Sequence, residues 1–244
     1  MHTVKLVLEY DGRDFAGWQV QPGKRTVQGE IEKALANLLG GRVALSGAGR
    51  TDAGVHAKGQ VASFQTSSQR SPEVILRALN SGKERDLAVR EVRALGEDSE
   101  FHARFSAKSR LYEYRIIQGR SPLRRRYAWE VTYPLNLARM RQAARCLLKK
   151  HDFTSFSSAK AEVKTRVCIV KEAVWQEQGE ELVFRIEANR FLQAMVRSLV
   201  GTMVDIGRGR FKPTDMQRIL SARDRSLAGK TAPPQGLCLM RVKY

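Results

Sequence analysis

Cysteine, proline and histidine are scarce in this 244-residue chain, at three, seven and four residues. Cys146, Cys168 and Cys238 are odd in number and far apart, so they form neither a disulfide framework nor a metal-ligand spacing. His2, His56, His102 and His151 are equally scattered. These gaps predict reduced thiols and no structural zinc. No apolar run approaches the ~20 residues that a membrane span needs, and the opening MHTVKLVLEYDG has no signal-peptide core. A cytoplasmic protein is the reading that follows. The nucleotide motif GxxxxGK[ST] is missing, and so are HExxH, GxSxG and a glycosidase-like carboxylate pair. Redox and phosphoryl-transfer enzymes are therefore not suggested.

Acid is also in short supply. Twenty-five Asp and Glu face 43 Lys and Arg, a formal charge of +18. At 42% hydrophobic and 28% charged, the composition is otherwise that of a folded protein. A globular chain this cationic suits a polyanion, because neutralising phosphates releases counterions and supplies affinity. Charge alone leaves open a basic protein with no such partner.

Val4, Leu6, Leu8 and Tyr10 alternate with Lys5, Val7 and Glu9, the period of a strand with one apolar face. Thr26 can cap a helix with Val27, Ile31, Leu35 and Leu38 on one side. Strands are predicted near residues 42–45, 60–64 and 86–95, with a helix opened by Ser71-Pro72. The second half mixes elements again. It has a strand at 110–117, a helix after Asn136, paired strands at 165–175 and 182–188, a long helix at about 191–206, a short one after Pro213 and a closing strand. Strands and helices do not strictly alternate, so an α+β fold of two similar halves with mostly antiparallel sheets is favoured over a doubly wound one. The boundary falls near 101–108, giving residues 1–105 and 106–244.

Three constellations can carry chemistry. GAGRTDAGVHA, Gly47–Ala57, packs three glycines, Arg50, Thr51, Asp52 and His56 into one loop. Asp52 stands where the third glycine of a dinucleotide fingerprint belongs. A lone carboxylate on a glycine-rich turn can serve as a nucleophile, and it can equally stabilise its own loop as an Asx-turn. In the long helix, Phe191, Leu192, Met195, Val196, Leu199, Val200 and Met203 cover one side, and Ala194, Ser198 and Gly201 form a small-residue side. Arg197 lies between them and needs an anionic partner if buried. Glu187, Asp205 and an acid from the other half all qualify. Finally, Arg110, Tyr112, Tyr114 and Ile116 share a strand face, suited either to stacking on unpaired bases or to filling a core. Residues 101–130 hold eight Lys or Arg against two Glu, with Arg124, Arg125 and Arg126 in a row as candidate phosphate contacts or a solvated turn.

GRTDAGVHA resembles the signature loop of the tRNA pseudouridine synthase A (TruA) family. LEYDGRDFAGWQVQPGKRTVQGEIEKAL, FHARFSAKSRLYEYRI, HDFTSFSS, ANRFLQAMVRSLVGTMVDIGRG and APPQGLCLMRVKY are similar to the family's other segments, in the same order. Arg190, Gln193 and Cys238 depart from the pattern but touch no residue assigned to chemistry. The resemblance implies an isomerase that converts uridine to pseudouridine at positions 38, 39 and 40 of the tRNA anticodon arm, with no cofactor and no metal. It implies that Asp52 is the catalytic aspartate, that Tyr112 stacks on the extruded uracil, that Arg197 pairs with the aspartate, and that Arg50 acts in base flipping. It further implies a homodimer, and two halves whose sheets join across a central basic cleft. A non-catalytic basic RNA-binding protein is the alternative, and a pseudouridine synthase acting on other RNA sites is a second.

Overall fold

The first strand, β1 (His2–Tyr10), follows from its alternation: Val4, Leu6 and Leu8 are wholly buried, and Tyr10 nearly so. The computed structural model describes residues 1–82, 85–96, 98–158 and 164–244. Helix α1 (Val27–Leu39) starts where Thr26 accepts the Gly29 N–H and ends on left-handed Gly40. Next come β2 (Ser46–Gly47), β3 (His56–Thr66), α2 (Pro72–Asn80) and β4 (Leu87–Ala94). Ser71 caps α2, and Pro72 occupies the first turn, where its missing N–H costs nothing.

The chain divides into two units, Met1–Lys108 with Leu239–Tyr244, and Ser109–Cys238. In the first, β1 runs antiparallel to both β3 and β4, and β2 pairs with β3. Helix α2 packs on β4 and α1 on α2.

The second unit holds β5 (Ser109–Gln118), β6 (Trp129–Val131), α3 (Leu137–Arg145), β7 (Lys149–Asp152), β8 (Val167–Gln178), β9 (Glu181–Ala188), α4 (Met195–Gly207) and α5 (Asp215–Ala222). Its order is β5-β9-β8-β7, antiparallel throughout, with β6 added parallel to β5. Helix α3 packs on α4 and β8 over a core of Tyr114, Trp175, Phe184 and Ile186. The last strand, β10 (Leu237–Lys243), neighbours β3 and puts Leu239–Tyr244 in the first unit. The architecture is a mixed, mostly antiparallel α/β fold.

The structure corrects three expectations. Residues 42–45 are not a strand. Val43 and Leu45 are buried, but Leu45 satisfies its backbone on α1 side chains: its N–H goes to Glu32 Oε1 at 3.0 Å and its carbonyl accepts Gln28 Nε2 at 3.2 Å. The long helix begins at Met195, not near Phe191, because Ala194 turns left-handed at φ 60° and breaks the run. On the strand face that left stacking and core filling both open, Tyr114 is wholly buried in the core and Tyr112 keeps 7% of its surface exposed. Residues 106–244 do not stay together as one half, since the closing strand belongs with the first unit. That pairing depends on partners far away in sequence, which local periodicity does not contain.

Candidate active site

In the first unit, β2 pairs with β3 through Ser46↔Ser63 and Gly47↔Ala62, so residues 48–55 form the loop between them. The core below holds this loop at nearly every step. Ala48 N–H donates to the Val61 carbonyl at 2.7 Å. The Gly49 carbonyl accepts Gln60 Nε2 at 2.8 Å. Thr51 is gripped twice: its carbonyl accepts the Trp18 N–H at 3.1 Å, and its hydroxyl lies 2.9 Å from the Tyr10 phenol. Gln60 Nε2 also reaches that phenol at 3.5 Å. Beyond Asp52, Val55 N–H closes a turn onto the Asp52 carbonyl at 3.1 Å, with Gly54 at φ 78°, a conformation glycine adopts freely.

Asp52 therefore sits between a doubly held threonine and a tight turn. It is half-buried, whereas Arg50 is exposed, and among the described residues the Arg50 guanidinium meets no carboxylate. The nearby Asp11–Asp14 segment presses on the far side of the loop. Gly12 N–H donates to His56 Nδ1 at 3.1 Å. The Asp11 carboxylate lies 3.1 Å from the same nitrogen and takes Arg13 in a fork with contacts of 2.6 and 3.0 Å. A Cβ at Gly12 would overlap the Val55 carbonyl, so only glycine lets these backbones meet.

In the second unit, Tyr112 stands on β5 opposite Ile186, its ring edge-on to Phe191 with centroids 5.1 Å apart. Arg197 occupies the first turn of α4. Unpaired N–H groups there favour negative charge, so a cation at this place is best satisfied by an anion close by. Arg197 Nε donates to the Ala232 carbonyl at 2.8 Å, and Ala232 N–H returns to the Arg197 carbonyl at 3.0 Å. Asp205, a candidate partner from spacing, takes Arg210 at 3.3 Å. The Tyr114 hydroxyl donates to the Pro233 carbonyl at 2.8 Å. Burial pushes its pKa well above the ordinary tyrosine range, with the Arg197 charge pulling the other way. Gly229 N–H donates to Thr202 Oγ1 at 2.9 Å, so the segment before β10 is tied along α4 and fixes the surroundings of Arg197.

Of the four residues singled out by sequence, Asp52 and Arg50 share one loop, and Tyr112 and Arg197 lie in the second unit. Sequence reading missed Tyr10, Gly12, Trp18 and Gln60, which shape the loop. Gln60 carried a usable signal as an amide in the strand GQVASF, where it is fully buried. Polar groups at such depth are kept for the bonds they make.

The model of a family described as tRNA pseudouridine synthase matches residues 6–106 and 143–244. The chain belongs to the tRNA pseudouridine synthase family. Relatives agree over its whole length. It is 46% identical over 244 residues to the tRNA pseudouridine synthase A of Exiguobacterium sp. strain AT1b, covering 100% of this chain and 98% of the relative. It is 46% identical over 245 residues to that of Geobacillus kaustophilus (99% and 94% covered) and 43% over 245 to that of Bacillus licheniformis (99% and 98%). As a tRNA pseudouridine synthase it is an isomerase acting on uridine in tRNA. The similarity supports this reading and not that of a non-catalytic RNA binder. Among the described residues, no helix is long and apolar enough to cross a membrane.

The grip on Thr51 gives a direct prediction. Tyr10→Phe removes one hydroxyl beside the loop and leaves the ring packing on Phe15 and Trp18 intact. With its neighbour loosened, turnover should fall about tenfold at nearly unchanged KM, since small misplacements at a reacting group are costly. Steady-state kinetics on a tRNA transcript would check this; an unchanged kcat would free Tyr10 of the role.

Proposed function

We propose that this tRNA pseudouridine synthase acts on uridines 38, 39 and 40 of the anticodon arm, with Asp52 as nucleophile. The observation that carries the reading is the GRTDAGVHA loop itself, whose aspartate is presented half-buried on a backbone anchored by Tyr10, Trp18 and Gln60. The reaction exchanges the N1–C1′ bond for a C5–C1′ bond. C5 loses a proton and N1 gains one, so atoms and electrons balance without a redox partner.

Each residue has its part. Asp52 attacks as a carboxylate, at C1′ or at C6 of the base. Arg197 holds that carboxylate charged and aimed. Tyr112 stacks against the uracil, and Arg50, exposed on the same loop as Asp52, fills the space the flipped base leaves. The surplus of Lys and Arg holds phosphates in a basic cleft and reads the arm by shape, which suits three neighbouring targets. The protein works in the cytoplasm, as its sequence features suggest, and as a homodimer, a statement that rests on the family resemblance.

Mapping pseudouridine in tRNA from cells lacking the protein tests the proposal. Uridine persisting at 38–40 and nowhere else is the expected result. Loss at other RNA sites would move the substrate assignment. Tyr112→Phe gives a narrower test. It should bind tRNA nearly normally, because the ring remains. Full activity would show that the hydroxyl takes no part in moving the C5 proton.

A further inference from the structure

The turn joining β4 to β5 carries an exposed aromatic display for which the loop chemistry above has no use. Phe105 is 77% exposed. Its ring lies against the His102 imidazole with centroids 4.5 Å apart and planes at 32°. The Arg104 guanidinium sits 5.7 Å from the centre of the Phe105 ring. Beside it, Phe101 and Tyr244 form a second ring pair at 4.8 Å, with Lys5 Nζ 5.8 and 5.3 Å from their centres. Two ring pairs, each with its own cation, therefore involve this turn, the second completed by Tyr244 and by Lys5 of β1.

The display is rigidly mounted. His102 Nδ1 accepts the N–H groups of Arg104 at 3.1 Å and Phe105 at 3.4 Å. His102 N–H donates to Ser106 Oγ at 3.0 Å, and Ser106 N–H returns to the His102 carbonyl at 2.9 Å. Ala103 is held from both sides, its N–H by Ser63 Oγ at 3.0 Å and its carbonyl by the Tyr244 hydroxyl at 2.8 Å. Scattered exposed apolar residues need no explanation. A phenyl ring propped outward on a turn this firmly tied, next to an arginine, is a different matter.

We propose that the Phe101–Lys108 turn is a stacking platform for an unpaired base of the tRNA substrate, with Phe105 as the ring that receives it and Arg104 contacting the adjoining phosphate. This rests on the reading that the substrate is tRNA. Aromatic rings interleaved with cations suit splayed-out nucleotides, because every base offers a flat face and every nucleotide a phosphate. Positive charge on this turn and over the whole chain favours RNA over an apolar protein surface. The base received is not the uridine that reacts; the platform positions the arm and contributes to KM.

The test uses the full-length protein and an unmodified tRNA transcript. Phe105→Ala should raise Kd and KM about tenfold, within the range for losing one stacked base, with kcat unchanged. Phe105→Trp should bind within about twofold of the parent, and its added indole emission, measured against the parent as blank, should be quenched by the transcript. A blunt RNA duplex of similar length offers no free base. It should bind parent and Phe105→Ala alike and leave the indole unquenched. Any of three results would overturn the platform: equal tRNA binding by Phe105→Ala, an equal loss of duplex binding, or a change in sedimentation with RNA affinity untouched, which would make the turn a contact between copies of this chain. Should the parent form no pseudouridine, the assigned activity fails, while the binding arms still decide the platform.

Discussion

Asp52→Asn is expected to abolish pseudouridine formation while leaving tRNA affinity within about tenfold of the parent. Asparagine keeps the size and hydrogen-bonding reach of the side chain but brings no negative charge, so it lacks the nucleophile. The backbone around position 52 should hold, because Trp18, Gln60 and Tyr10 anchor it through Gly49 and Thr51. Binding should survive as well, since a substrate rich in phosphate is held mainly by cations spread over the surface. Filter binding and nucleoside analysis on one preparation would separate the two effects. Residual turnover would remove Asp52 from the nucleophile's place.

Gly12→Ala should produce the second largest loss. The added methyl would overlap the Val55 carbonyl, and both partners are backbone, so no side chain can swing aside. Val55 closes the turn onto the Asp52 carbonyl, which carries the displacement directly to the nucleophile. A shift of about 1 Å at a reacting group costs on the order of a hundredfold in rate. The expected outcome is a kcat reduced by about that factor, with tRNA affinity close to the parent and a lowered melting temperature. Unchanged kcat would mean that the loop adjusts without moving the carboxylate.

What the sequence disclosed, and what it hid, follows from which forces are local. The caps were readable because Thr26, Ser71 and Asn136 bond to N–H groups three residues ahead. Strand β1 was readable because one buried face imposes a period of two. Residues 42–45 misled because burial alternates there exactly as in a strand, while the partners of Leu45 are two side chains on α1. The helix start misled because nothing about an alanine announces a left-handed backbone, a state set by the surrounding packing. In the candidate site, Asp52 and Arg50 were visible as a motif. The grip of Tyr10 and Gln60 was not, since it requires β1 and β3 to pair in a register that brings residues 50 positions apart within reach.

The most direct measurement of the central claim is release of tritium from tRNA labelled at C5 of uridine, using the purified protein with a chelator and no added cofactor. Joining C5 to C1′ must expel the C5 hydrogen. The expected result is tritium release equal to the pseudouridine formed, confined to the anticodon arm. Absence of release from a transcript that the protein binds, or a strict need for an added cofactor, would contradict it.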